Sequence, residues 1–97
     1  MDYCFEWDIE KARTNEIKHG ISFEEAASIF HDPNAISIFD VDHSQSEDRW
    51  LTLGMSNLGR IIVLCHTLND EASDRVSIRI ISSRKAKQRE IKQYRKD

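Results

Sequence analysis

Apolar residues recur at helical spacing before Asp32-Pro33-Asn34 and alternate after it, so this chain must join a helical part to a sheet. The first five-residue stretch is an exception. Tyr3, Phe5 and Trp7 alternate with Cys4 and Glu6, which predicts a half-buried strand. Asp8 then offers an N-cap for a helix over Ile9 to His19, with Ile9, Ala12 and Ile17 roughly on one side and Gly20 as its left-handed terminator. Ser22 and Glu25 form an S-x-x-E capping box, so a second helix starts at Phe23 with a stripe of Phe23, Ala26, Ala27 and Phe30. Pro33 ends it by lacking a backbone donor and disfavouring helix in the residue before it.

Beyond the proline, Ala35–Val41, Arg49–Met55, Arg60–Thr67 and Val76–Ser82 read as strands. Their connections, including a long loop from Leu68 to Arg75, are polar enough to reverse the chain, which implies antiparallel neighbours. A last helix over Ala86–Lys96 has only Ile91 and Tyr94 as apolar anchors. The expectation is one α+β domain over residues 1–97, of order β-α-α-β-β-β-β-α, with a curved antiparallel sheet against the two early helices.

The net charge of −3 hides a polarity along the chain. Residues 1–74 hold 5 Lys/Arg against 15 Asp/Glu, and residues 75–97 hold 9 against 2. A basic end of this kind suits phosphate or an acidic partner protein. No apolar run approaches the roughly 20 residues of a membrane span, and the start has no basic-then-apolar leader, so a cytoplasmic location is expected. Cys4 and Cys65 are too few for a disulfide framework and are expected to be buried thiols. No metal-ligand spacing occurs among the four histidines and two cysteines, so neither a metal nor another cofactor is expected.

Several pieces then combine: Phe5-Glu6-Trp7-Asp8, Lys18-His19-Gly20-Ile21-Ser22-Phe23-Glu24-Glu25-Ala26, Arg49-Trp50-Leu51-Thr52-Leu53-Gly54, His66-Thr67, and Arg79-Ile80-Ile81-Ser82-Ser83-Arg84-Lys85-Ala86. In this order they resemble the BrnT family of toxins across nearly the whole chain. Ser83, where a small apolar residue is expected, and a lengthened loop at residues 69–74 depart from that pattern. The resemblance implies a RelE-like fold and a type II toxin-antitoxin ribonuclease. It further implies metal-independent cleavage of mRNA that stops translation and growth, and a DNA-binding BrnA-type antitoxin that neutralises the toxin in a hetero-oligomeric complex.

Metal-free RNA cleavage needs a base for the 2′-hydroxyl, cations at the phosphate and an acid for the departing 5′-oxygen. His66 suits either proton role. Arg79, Arg84 and Lys85 can clamp a phosphate, while Glu90 and Tyr94, four apart on the last helix, add a carboxylate and a phenol. Thr67 and Arg89 are the expected substrate-binding residues. Whether His66 and Arg79 share a face depends on a hairpin register that the long loop leaves open. His43, in the charged loop 42–48, reads as a hydrated hairpin tip. The other functional reading of the same residues is a non-enzymatic domain whose basic C-terminal segment binds protein or nucleic acid.

Overall fold

The computed structural model of the chain describes residues 2–96; Met1 and Asp97, the ends of the expected domain, lie outside them. The order is β1 (Asp2–Glu6), α1 (Ile9–His19), α2 (Phe23–Ala27), a 3-10 turn (Ser28–His31), β2 (Ile36–Phe39), β3 (Trp50–Met55), β4 (Ile61–His66), β5 (Asn69–Ala72), β6 (Arg75–Lys85) and α3 (Gln88–Arg95). Strands β1-β6-β4-β3-β2 lie side by side, with β5 also paired to β6.

Two expectations about the sheet are corrected. The sheet is mixed, because β1 runs parallel to β6, Asp2 opposite Arg75 through Glu6 opposite Arg79. The chain reaches that arrangement because α1, α2 and four strands intervene between the pair, so no hairpin forces them to be antiparallel. The segment read as a long loop after Leu68 is in part strand: β5 pairs antiparallel with β6, Asn69 opposite Ser77. Its polar sequence Asn69-Asp70-Glu71 hides the strand from an alternation test, since no apolar face is required of it.

The helix boundaries follow their caps. The Asp8 carboxylate accepts from the Lys11 N–H, and Gly20 closes α1 at φ 70°. Ser22 accepts from the Glu25 N–H, but Glu25 does not complete the expected box. Its carboxylate, 5% exposed, instead takes hydrogen bonds from Ser56 Oγ and the Arg60 guanidinium, tying α2 to the β3–β4 turn. The Arg60 hydrogen bonds hold the Glu25 carboxyl below its usual range against the upward pull of burial.

The core lies between the sheet and the segment from Ile21 to Phe30: Ile21, Phe23, Ala26 and Ile29 meet Ile62 and Leu64 of β4 and Val76, Ile78 and Ile80 of β6. Each fully buried Ile, Leu or Phe contributes about 1.5–3 kcal/mol, so this cluster is the main stabilising element. Helix α1 joins it differently from the expectation. Ile9 and Ile17 are exposed, and the face turned inward carries Ala12 and the buried Asn15. The Asn15 amide accepts from the Ser83 N–H at 3.0 Å and donates to Ser83 Oγ at 2.8 Å, so α1 caps the edge of β6 beyond the end of β1. That position is edge cover, which needs hydrogen bonds more than apolar area. Cys4 is also exposed, on the edge strand, and Cys65 is half-buried.

Strand β6 has a bulge. Residues Ile62 to Cys65 pair with Lys85 to Ser82, whereas His66 pairs with Ile80, leaving Ile81 as the extra residue. Val76, Ile78 and Ile80 therefore face the helices, and past the bulge Ser83 does so.

Candidate active site on the sheet face away from the helices

Because side chains alternate along each strand, the register sorts the expected site residues onto two faces. Face and register together place Arg79 beside Thr67 at the end of β4 and Arg49 just before β3. A middle row runs Ser82, Cys65, Leu51, Ile38, and a third runs Arg84, Val63, Leu53, Ile36, with α3 resting against the third. From residue 67 to residue 63 of β4 the outer rows are about 13 Å apart, at about 3.3 Å per residue. The two arginine positions therefore address different groups rather than one.

His66 is on the other face. Its ring is 0% exposed, lies edge-on to Phe30, and sits in a closed chain of hydrogen bonds: Nδ1 to Thr67 O at 2.9 Å, Nε2 to Thr52 Oγ1 at 2.6 Å, and Thr52 Oγ1 to Ser37 Oγ at 2.7 Å. A carbonyl only accepts, so Nδ1 holds the proton and Nε2 accepts from the Thr52 hydroxyl. Burial pushes the His66 pKa below its ordinary value, against the upward pull of the Thr67 carbonyl. The structure does not bring this ring to Arg79 or Arg84: past the bulge His66 lies opposite Ile80, which puts it and Arg79 on opposite faces.

Arg84 makes more side-chain hydrogen bonds than the other expected cations among the described residues. Nη1 and Nη2 donate to the two Glu90 carboxylate oxygens, each at 2.8 Å, and Nη1 also reaches Lys85 O. The Nε–H and one Nη2–H have no partner among the described residues. Glu90 accepts from the Lys87 N–H as well, and the Arg84 hydrogen bonds hold its carboxyl down at about 2. So acidic a group is a poor proton acceptor near neutral pH, and its geometry is that of a clamp on Arg84. Lys85 is exposed and lies near Glu25 on the helix side, and Arg89 is exposed on α3. Tyr94 leaves the cluster: its hydroxyl donates to Asp32 Oδ2 at 2.5 Å, pinning α3 to the turn that ends the helical part. That hydrogen bond, with burial, raises the Tyr94 pKa.

Thr67 is 7% exposed, and its hydroxyl accepts from the Arg79 N–H at 3.3 Å, so it fixes the backbone of Arg79. The Arg79 guanidinium meets Glu47 in the loop before β3, and Arg49 approaches the same carboxylate at 3.8 Å. Arg49 Nε is buried without a hydrogen-bond partner among the described residues. His43 pairs with Asp40 at 2.9 Å within that loop.

Two residues belong here that were not singled out in the sequence. Arg49 stands in Arg-Trp-Leu-Thr-Leu-Gly, and His19 in Lys-His-Gly-Ile-Ser. Both lie in the quoted motifs, which was the available signal; helix and strand periods gave no reason to aim them at one face. His19 borders a recess of about 80 Å³ with Leu51, Val63, Cys65, Ser82 and Arg84. Burial raises the Cys65 thiol's pKa, which keeps it protonated and inert as a nucleophile.

Residues 7–90 match the family model described as the ribonuclease toxin, BrnT, of type II toxin-antitoxin systems. The fold is similar to the crystal structure of the Brucella abortus ribonuclease toxin BrnT, with a TM-score of 0.58 and 25% identity, covering 91% of this chain and all of that one. Among curated proteins none matches the chain in sequence.

Proposed function

The chain belongs to the BrnT family of ribonuclease toxins of type II toxin-antitoxin systems, and from that premise we propose that it is an endoribonuclease that cuts mRNA without a metal ion and so halts translation and growth. The observation that carries this reading is Arg84: a guanidinium held on one edge by Glu90, whose Nε–H and one Nη2–H have no partner among the described residues, beside a recess on the sheet. A fixed cation with unspent donors is what a phosphorane needs as negative charge builds on its oxygens, and it costs no reorganisation during the reaction.

In this reading Arg84 takes the scissile phosphate, Glu90 positions it, and Arg79 and Arg49, two rows and about 13 Å away, take another phosphate of the same strand. Lys85 and Arg89 add long-range attraction for RNA. Thr67 holds Arg79 in place, Tyr94 fixes α3, and His66 is a structural residue beneath the site. The RelE-like architecture belongs to the same reading.

The partner is an antitoxin of the BrnA type, itself DNA-binding, which forms a hetero-oligomeric complex and covers part of the 79–94 segment. Helix α3 is a suitable target, because its inner anchors are few and Ile36, Ile38, Leu51, Leu53 and Val63 line an apolar groove beside Glu90 and Gln93.

Arg84→Lys tests the function. The single-point ammonium cannot hold Glu90 and a phosphate on separate edges, so purified variant should cleave single-stranded RNA at least about 100-fold more slowly. Growth arrest on expression should be lost with it. Unchanged cleavage by the variant removes Arg84 from the chemistry, whereas RNA binding without cleavage by the wild type selects the non-enzymatic binding domain instead.

A further inference from the structure

Resting on the ribonuclease reading, we propose that His19 is the general base, taking the proton from the 2′-hydroxyl of RNA bound across the His19–Arg84 recess. Among the four histidines, His66 is sealed in the core and His43 is paired to Asp40. His31 ends the 3-10 turn after α2 and lines a separate hollow with Met55 and Asn57. His19 is half-buried and borders the recess that Arg84 also lines, and its ring has no hydrogen-bond partner among the described residues.

Its placement is not left to a loose helix end. Asn15 and His19 are four apart on α1 and so share a face. Asn15 is bolted to Ser83 by two hydrogen bonds, of 2.8 and 3.0 Å, and Ser83 is the chain neighbour of Arg84. The same pair of bonds therefore fixes the helix that carries the imidazole to the strand that carries the guanidinium. Gly20 at φ 70° then turns the chain away, leaving the last turn of α1 open at the rim.

The recess suits one phosphoryl group. At about 80 Å³ the recess is small beside a whole nucleotide. The ribose and bases thus lie across the mouth, with the phosphate on Arg84. Neutral His19 removes the 2′-hydroxyl proton while the 2′-oxygen bonds to phosphorus. The bond from phosphorus to the 5′-oxygen breaks with its electron pair on that oxygen, which takes a proton from solvent water. The products are a 2′,3′-cyclic phosphate and a 5′-hydroxyl, and the imidazolium returns its proton to water.

The test compares wild type, His19→Gln and His19→Ala on single-stranded RNA of mixed sequence between pH 5 and 8, with folding checked by circular dichroism. Wild type should show a rate rising with pH over that range and leave cyclic phosphate ends. The variants should bind RNA within about threefold of wild type but cleave about 10²- to 10⁴-fold more slowly, with the rising limb gone and added imidazole restoring part of the rate. Wild-type cleavage with variants that keep the rate or the rising limb overturns the role of His19 and leaves the ribonuclease reading standing. A wild type that cuts no RNA at any pH overturns both.

Discussion

Protonation of a sealed histidine should make this protein lose stability on mild acidification, in a window above that of its carboxylates. His66 is fully buried with its Nδ1 proton given to a carbonyl and Nε2 accepting from Thr52, so a second proton would place a charge in the core and force the Thr52 hydroxyl to turn from donor to acceptor. Its folded pKa lies below the ordinary value of 6.5, chiefly through burial. The unfolded chain binds the proton near 6.5 while the folded one does not, so this contribution is full above about pH 6.5 and lost as pH falls towards the folded pKa.

While only the unfolded state is protonated, the slope is about 1.4 kcal/mol per pH unit, and between pH 7 and pH 5 the loss reaches at most about 2 kcal/mol. With a urea m-value of about 1–2 kcal/mol/M, the unfolding midpoint should fall by about 1–2 M. The assay is urea unfolding of wild type and His66→Gln at pH 7 and pH 5. The glutamine variant should be less stable at pH 7, by about 1–3 kcal/mol for its imperfect replacement of buried hydrogen bonds, but should lose much less on acidification. Equal losses in both proteins would refute the argument. So would a His66→Gln protein whose cleavage rate per folded molecule drops a hundredfold, since a fully covered ring has no route to a substrate.

Gly54→Ala should destabilise by about 1–3 kcal/mol in thermal unfolding, as overpacking does. Its new Cβ would stand 3.1 Å from Ile29 Cβ and 3.3 Å from Ala35 Cβ, both atoms fixed to backbone. Binding of the antitoxin should slow amide exchange across residues 79–94, measured by mass spectrometry on the free and bound toxin. Protection confined to other segments would remove α3 and the end of β6 from the interface.

Much of the fold was legible because local chemistry and tertiary need agree. Asp8, Ser22 and Gly20 act at helix ends as their side chains and backbone freedom dictate, and the alternating runs from Ala35 onward become β2, β3, β4 and β6. The failures come from long-range pairing. Whether β1 lies parallel to β6 is decided by where the chain returns after some seventy residues. The polar strand β5 is held by a neighbour rather than by a core, and Ile9 and Ile17 look like core only until α1 is seen to sit at an edge.

The site was legible as a set of residue types and as family motifs, less so as a geometry. Arg84 and Glu90 are six apart in sequence and meet, but Tyr94 goes to Asp32 and His66 to the core. Parity along β6 failed as a guide because it changes within the strand. His19 escaped because nothing local signals that a residue ending a helix will lean over a strand sixty residues later. The link is the Asn15–Ser83 pair, which only the folded chain reveals.

The extra residue at Ile81 acts as a phase shifter. Upstream of it even-numbered positions of β6 belong to the interior and odd ones to the outside, and downstream the assignment is inverted. The two halves of the strand are thereby free to diverge under separate demands, one serving the packing of β1 and α2, the other presenting Arg84. When relatives are aligned, a gap of one residue at this point would be a change of allegiance for every side chain beyond it. The apolar pattern upstream would give no sign that the arginine had turned inward.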